Sequence, residues 1–220
     1  MAYYDRGFAY LHKNDPERAL ADLNAVIKLD PKDAVAFNNR GQAFRKKGNY
    51  DRVIVDLDRA IAADPKDVVA YNRRGRAYDS KGDYDRAIAD YSAAIAIDRN
   101  YVIAWNNRGF SYDSKGEFDR AIADYSEAIR INPNYAVAYN NRGFAFDNKG
   151  EYDRAIVDYT EAIRHNPKFA AAYINRGNTY ATKKNYERAI ADYRQALAIN
   201  PQSQEAQDNL AALGVRPWDD

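Results

Sequence analysis

The side chains that most often carry out chemistry are scarce in this chain. Its only histidines, His12 and His165, are far apart in the sequence, and it contains no cysteine. It has no glycine-rich phosphate loop, and none of its serines stands beside a plausible base. Acyl transfer, phosphoryl transfer and thiolate–metal chemistry each need such groups at matched spacings. We therefore expect no enzymatic activity and no cofactor.

Two acidic segments superficially suggest calcium-binding loops. Residues 79–83 are Asp-Ser-Lys-Gly-Asp, and residues 147–151 are Asp-Asn-Lys-Gly-Glu. A calcium loop needs oxygen ligands at fixed alternate positions and a distal glutamate, and neither segment has that spacing. We interpret both segments as connectors between helices and expect no metal site.

Another set of charged side chains recurs in fixed register. The arginines are Arg6, Arg40, Arg74, Arg108, Arg142 and Arg176, and the aspartates are Asp22, Asp56, Asp90, Asp124, Asp158 and Asp192. A constant register of this kind predicts ion pairs that tie two helices together rather than an anion-binding site. Leucine in place of Arg108 should then alter stability more than binding. The spacing of Arg86 and Asp90 also predicts an i,i+4 pair on one helix.

The elements that position these side chains follow from a repeat of 34 residues. In the fourth repeat the apolar residues have helical spacing over Val102–Ser114 and Phe118–Ile131, which predicts two helices. Gly116 stands where a helix ends in positive φ, and Pro133 cannot continue a helix. Asp15 followed by proline predicts the capped start of a helix in the first repeat. The recurring glycines are Gly7, Gly41, Gly75, Gly109, Gly143 and Gly177.

Those glycines also predict how the helices pack. A glycine inside a helix costs about 1 kcal/mol relative to alanine, so its recurrence indicates a close approach of two helices, with Gly109 facing Ala121 and Ala128. A single pair cannot bury its apolar stripe, so neighbouring pairs stack. We expect a short capping helix at Gln204–Leu213, before Gly214 and Pro217. The predicted organisation is six tandem units (1–33, 34–67, 68–101, 102–135, 136–169 and 170–203) and a capping helix with tail (204–220).

This pattern resembles the tetratricopeptide repeat family over about nine-tenths of the chain. In the family frame the recurring glycine is position 8, with aromatic residues at positions 4 and 11, small residues at 20 and 27, and proline at 32. Departures are arginine at position 7 of every unit, Pro16 for the aromatic at position 17, and Arg99 for one closing proline. The resemblance implies an all-α fold, a right-handed superhelical solenoid of six helix-turn-helix units with a C-terminal capping helix.

The resemblance also implies a concave groove lined by the first helix of each unit. The residues predicted to bind a peptide there are Asn38, Asn39, Asn72, Arg73, Arg76, Asn106, Asn107, Phe110, Asp113, Asn140, Asn141, Phe144, Asp147, Asn175 and Asn178. An asparagine amide offers donors and an acceptor that match an extended backbone. The asparagines at position 6 are similar to the ladder in the tetratricopeptide domain of O-GlcNAc transferase. Simple solvation of the asparagines, and packing of the phenylalanines between helices, stay open as alternatives.

Two further features of the family bear on the partner. Asp113 and Asp147 would favour a partner that carries lysine or arginine. A clamp for two carboxylates, as found in chaperone-binding members, would use Asn39 and Arg73, but Tyr4 and Val69 stand where the clamp has lysine. Too little positive charge converges there to hold two carboxylates, so a chaperone clamp is not predicted.

Composition limits the remaining classes of function. Lys and Arg number 33 against 32 Asp and Glu, a net charge of +1 that argues against a nucleic-acid binder. The mean hydropathy of -0.74 and the lack of a long apolar run predict a soluble protein with no membrane insertion. We expect it in the cytoplasm, although the absence of cysteine also suits an oxidising compartment. Removal of a signal or of a larger parent chain stays open.

The sequence therefore predicts a protein–protein interaction module that binds an extended peptide of its partner in the groove. The alternative is a self-assembling scaffold that oligomerises through its terminal helices. Aromatic residues near the N-terminus, Tyr3, Tyr4 and Phe8, motivate that alternative.

Overall fold

The structure, a computed structural model, describes residues 2–216. Within that range the chain forms thirteen α-helices and no strand. They are α1 (Ala2–His12), α2 (Pro16–Leu29), α3 (Ala34–Lys46), α4 (Tyr50–Ala63), α5 (Val68–Ser80), α6 (Tyr84–Ile97), α7 (Val102–Ser114), α8 (Phe118–Ile131), α9 (Ala136–Asn148), α10 (Tyr152–His165), α11 (Ala170–Thr182), α12 (Tyr186–Ile199) and α13 (Gln204–Ala212). Odd and even helices alternate as the first and second helix of each repeat, and the predicted all-α repeat fold is confirmed.

The helix ends follow from residues that recur in most repeats. Both helices of the fourth repeat have the bounds predicted for them. Gly116 has φ of 76°, which confirms the predicted positive φ, and Asn14 and Lys184 have φ of 59° and 60° at the equivalent place. Helix α2 begins as predicted, because the Asp15 carboxylate accepts the backbone N–H of Arg18 at 3.1 Å.

The chain divides into two compact units, one that ends at Lys115 and one that begins at Gly116. Within each unit every helix packs against its neighbours in sequence. First helices of consecutive repeats also meet directly, α1 with α3 and α5 with α7 in one unit, and α9 with α11 in the other. This nearest-neighbour packing is that of a repeat solenoid.

Glycine at position 8 admits a close neighbour, as the sequence predicts. A Cβ added to Gly75 would lie 2.7 Å from Cε1 of Tyr91, a side chain that is fully buried. The tyrosines at the same position of later repeats, Tyr159 and Tyr193, lie similarly close to Gly143 and Gly177. In these repeats the nearest group is therefore a tyrosine ring at position 24 rather than the small residues that the sequence suggested.

The last helix covers the end of the second unit. Ala206 and Leu210 of α13 are fully buried and belong to one core cluster with Ile174 and Leu197. The predicted capping helix is confirmed, although it ends at Ala212, one residue earlier than predicted. Pro217, predicted to follow this helix, lies outside the described residues, as do Met1 and residues 218–220.

Candidate functional site

The residues predicted to bind a peptide lie on the first helices. We call the side chains at positions 5, 6, 9 and 12 of α1, α3, α5 and α7 the first-helix surface of the first unit. The equivalent side chains of α9 and α11 form the first-helix surface of the second unit. The four positions differ sharply in exposure and bonding.

The asparagines at position 5 are buried. Asn38, Asn72, Asn106 and Asn140 are only 5–8% exposed. Asn39, at position 6, is also buried, whereas Asn107, Asn141 and Asn175 are partly exposed. The resemblance implies that the position-5 asparagines face the groove, but their amides expose little surface that a ligand could contact.

These buried amides instead join one repeat to the next. Asn107 Nδ2 donates to Asn72 Oδ1 at 2.9 Å, and Asn175 Nδ2 donates to Asn140 Oδ1 at 3.0 Å. Two further links are Arg73 Nη1 to Asn38 Oδ1 and Asn39 Nδ2 to the Tyr4 hydroxyl. In all four, position 6 donates to position 5 of the preceding repeat. A buried polar group must be hydrogen-bonded to be tolerated, and this ladder meets that need.

The aspartates at position 12 are also engaged in packing. Asp79 accepts hydrogen bonds from the Tyr91 hydroxyl at 2.6 Å and from Ser111 Oγ at 2.7 Å. Burial raises the pKa of Asp79, and these two hydrogen bonds oppose the shift. Asp147 accepts from Thr179 Oγ1 at 3.1 Å, and burial raises its pKa also. Asp113 is partly buried. Attraction of a basic partner by these carboxylates stays a prediction.

Position 9 is the exposed row of the surface. Phe8, Phe110 and Phe144 are 44–48% exposed, and Arg76 is exposed as well. Asn178, by contrast, accepts hydrogen bonds from the Tyr193 hydroxyl and from Asn209 of the capping helix, both at 2.8 Å. In the described part of the chain, position 9 holds every exposed phenylalanine.

The arginine at position 7 pairs with aspartate on the second helix, as predicted. Arg142 donates from Nε and Nη2 to the two carboxylate oxygens of Asp158, at 2.7 and 2.8 Å. These hydrogen bonds raise the pKa of Arg142. The same two-pronged pairs are Arg6–Asp22, Arg40–Asp56, Arg74–Asp90 and Arg176–Asp192.

Each of these arginines after the first also reaches the preceding repeat. Arg142 Nη1 donates to Ser126 Oγ at 3.0 Å, and Arg108 Nη1 donates to Ser92 Oγ at 2.9 Å. The equivalent partners are Asn24 for Arg40, Asp58 for Arg74 and Thr160 for Arg176. The position-7 arginines are therefore structural ties.

The predicted pair between Arg86 and Asp90 is wrong. Arg86 Nε instead donates at 2.5 Å to Asp83, three residues earlier, which caps the same helix. Asp90 is buried and taken up by Arg74 of the neighbouring helix. Burial raises the pKa of Asp90, while the hydrogen bonds from Arg74 oppose that shift.

Sequence reasoning missed one arginine on this surface. Arg45 stands at position 12, where the next three repeats have aspartate, and it lies beside Arg73 and Arg76 around a cavity between α3 and α5. The change from negative to positive charge at position 12 was the only sign in the sequence that Arg45 differs in role. It is weak in a single sequence, because the distance between the three arginines depends on packing.

Among residues 2–216, no helix has the length and apolar character needed to cross a membrane.

Comparison with known families gives matches along most of the chain. Family models described as tetratricopeptide repeat match residues 4–68, 57–89, 102–135, 136–169 and 170–203, and one described as TPR repeat matches residues 75–116. The last three tetratricopeptide segments coincide with predicted units. A comparison with curated proteins finds no match.

Several solved structures share the fold. MamA is 29% identical, with a TM-score of 0.66 over 74% of this chain and 95% of that chain. YrrB, described as a TPR protein with an unusual peptide-binding site, is 23% identical, with a TM-score of 0.64 over 88% and 98%. PilW, described as a widely conserved type IV pilus biogenesis factor, is 20% identical, with a TM-score of 0.85 over 95% and 97%. The latter two show the fold alone.

Proposed function

Because this chain belongs to the tetratricopeptide repeat family, whose proteins generally mediate protein–protein interactions, we propose that it binds an extended segment of a partner protein on its first-helix surfaces. Proteins of this fold are typically adaptors without enzymatic activity. YrrB, which shares the fold, is described as having a peptide-binding site.

The exposed phenylalanines at position 9 carry this proposal. Phe110 and Phe144 leave 48% and 44% of their surface in solvent. The same position holds Gln42, Arg76 and Asn178 in other repeats, so the fold does not need an apolar side chain there. Exposed aromatic rings that packing does not require are typical anchors for a partner, because they bury a large area with little loss of side-chain entropy.

Amide groups beside the phenylalanines support an extended ligand. Asn175 is partly exposed and donates one of its two N–H groups to Asn140. The second N–H of Asn175 can donate to a carbonyl of a bound backbone. In this proposal the amides at position 6 have two roles, tying repeats together and holding the peptide backbone.

A selection from a library of random extended peptides tests the proposal. We expect the wild-type chain to enrich peptides and the Phe110→Ser/Phe144→Ser variant to lose that enrichment. Val55→Ser/Val157→Ser is the matched control, because these apolar side chains are 50% and 62% exposed but stand on second helices. Phenylalanine variants are preferable to asparagine variants, since loss of Asn107 would also remove a hydrogen bond from buried Asn72.

Two results would contradict the proposal. The first is no enrichment by the wild-type chain. The second is equal enrichment by the wild type and the phenylalanine variant, which would move the site elsewhere.

Self-assembly through α1 is the second candidate. Tyr3 and Phe8 are 47% and 45% exposed on that helix, whereas the Tyr4 hydroxyl accepts a hydrogen bond from Asn39. Light scattering over a concentration series separates the two candidates, because a strict monomer at high concentration is incompatible with a scaffold.

A further inference from the structure

The second repeat differs from the four repeats after it at two positions that line a cavity. Position 24 is Leu57 there, whereas the next four repeats have tyrosine. In the third repeat the ring of Tyr91 fills the space against Gly75, and its hydroxyl donates to Asp79. In the second repeat leucine replaces the ring, and Arg45 replaces the aspartate. The second repeat therefore has neither the tyrosine ring that fills this space in the third repeat nor the aspartate that accepts its hydrogen bond.

The resulting cavity measures about 160 Å³ and has two kinds of wall. Arg45 and Gln42 line it from α3, and Arg73 and Arg76 line it from α5. Val53 and Leu57 of α4 provide an apolar floor. A hydrogen bond from Arg73 of α5 to Asn38 of α3 joins the two helices beside this cavity. The space therefore lies between two first helices of the first unit.

The three arginines of this cavity lack acidic partners. Within residues 2–216, no carboxylate oxygen lies within 4.0 Å of a guanidinium nitrogen of Arg45, Arg73 or Arg76. By contrast, Arg40 and Arg74 on the same two helices each hold an aspartate in two hydrogen bonds. Asp67 acts on Arg73, and Asp79 interacts with Arg76, without either forming an ion pair. Three arginines beside two aspartates leave a surplus of positive charge, which attracts an anion.

Arg73 is the most confined of the three. It donates to Asn38 Oδ1, which fixes its guanidinium against α3. Burial lowers the pKa of Arg73, Asp67 and Tyr101 oppose that shift, and the nearby charges of Arg45 and Arg76 add a smaller lowering. A bound anion beside Arg73 would offset the cost of burying its charge.

We infer that the cavity between α3 and α5 binds a carboxylate of the peptide ligand, held by Arg45, Arg73 and Arg76. This inference rests on the proposed function and adds the chemistry of the partner. Guanidinium groups bind carboxylates through paired hydrogen bonds, and the apolar floor suits the methylene groups of a glutamate side chain. The site is distinct from the two-carboxylate clamp of the family, with which it shares only Arg73.

Binding of three labelled peptides, measured by fluorescence anisotropy, tests the inference. The first alternates glutamate with alanine and ends in an amide. The second replaces glutamate with glutamine, and the third is the glutamine peptide with a free terminal carboxylate. We expect the wild type to bind the glutamate peptide at least about tenfold more tightly than the amidated glutamine peptide, the effect of a charge-assisted hydrogen bond. A similar preference for the third peptide would assign the carboxylate to a chain terminus instead of a side chain.

Three variants locate the effect. Arg45→Gln/Arg76→Gln should abolish the preference for glutamate. Leu57→Tyr should abolish it too by filling the cavity, while all three arginines remain. Lys32→Gln/Lys66→Gln makes the same change in net charge at exposed positions outside the cavity and should keep the preference. Circular dichroism of each variant checks that the fold is retained.

The outcomes separate this inference from the proposed function. Equal binding of all three peptides by the wild type would overturn the inference and leave the proposed function standing. A glutamate preference that survives in both cavity variants would also overturn it. If none of the three peptides binds, the inference is wrong. The proposed function is then tested separately by the selection from the peptide library.

Discussion

At the scale of single residues, the side chain at position 24 determines whether the glycine at position 8 could be replaced by a residue with a Cβ atom. Tyr91 is fully buried and bonded through its hydroxyl to Asp79, so its ring cannot move away from Gly75. Leu57 leaves more room, since a Cβ on Gly41 would lie 3.5 Å from its nearest atom, an ordinary contact. The position-8 glycines of the second and third repeats, Gly41 and Gly75, therefore differ in their tolerance of a larger side chain.

We expect Gly75→Ala to destabilise the protein by about 1–3 kcal/mol, the usual cost of overpacking. The matched change Gly41→Ala should be neutral or stabilising by up to about 1 kcal/mol, because alanine favours a helix and meets no clash. Urea denaturation followed by circular dichroism measures both. Equal losses of stability would show that the tyrosine ring does not set the difference.

Residue-level interactions were only partly predictable from sequence. The arginine–aspartate pairs could be predicted because both members recur in every repeat. The burial of Asn38 and Asn72 could not, since it depends on side chains 35 residues further along the chain, Arg73 and Asn107. The spacing of Arg86 and Asp90 was misleading for a related reason, because a partner on a neighbouring helix competes with a local one.

At the scale of elements, position 7 joins three helices. Arg142 of α9 holds Asp158 of α10 in two hydrogen bonds and Ser126 of α8 in a third. The Asp158 side chain is only 5% exposed, so it relies on this arginine to offset the loss of water. The tie is thus part of how one repeat stacks on the next.

We predict that Arg142→Leu lowers the free energy of unfolding by about 3 kcal/mol, because it leaves a buried carboxylate without its partner. The control is Arg130→Leu, which removes an exposed pair with Glu127 and should cost less than about 1 kcal/mol. Thermal unfolding of both variants measures the difference. Similar melting temperatures for the two would contradict a structural role for position 7.

Helix bounds were the most predictable feature at this scale. Val102–Ser114 and Phe118–Ile131 follow from local signals, namely apolar spacing, a glycine at the turn and a proline after the second helix. The cavity between α3 and α5 had no such signal. It arises from the substitution of leucine for tyrosine at one position and of arginine for aspartate at another, and their proximity depends on helix packing.

At the scale of the whole molecule, repetition separates structural from variable positions. The net charge of +1 conceals the grouping of Arg45, Arg73 and Arg76, because paired charges elsewhere cancel. Positions 7, 8 and 23 keep their residue type in all six repeats, as packing requires. Position 9 varies between aromatic, amide and basic residues. Such variation is expected where a side chain contacts a ligand instead of a neighbouring repeat.

The most direct test of the central claim is a nuclear magnetic resonance titration of the isotope-labelled chain with a peptide enriched in the selection. We predict shifts at the ring of Phe144 and at the side-chain amide of Asn175, on the first helices α9 and α11. Val55 and Val157, on second helices, should remain unshifted. Shifts confined to second helices, with the phenylalanine and asparagine signals unchanged, would contradict peptide binding on the first-helix surfaces.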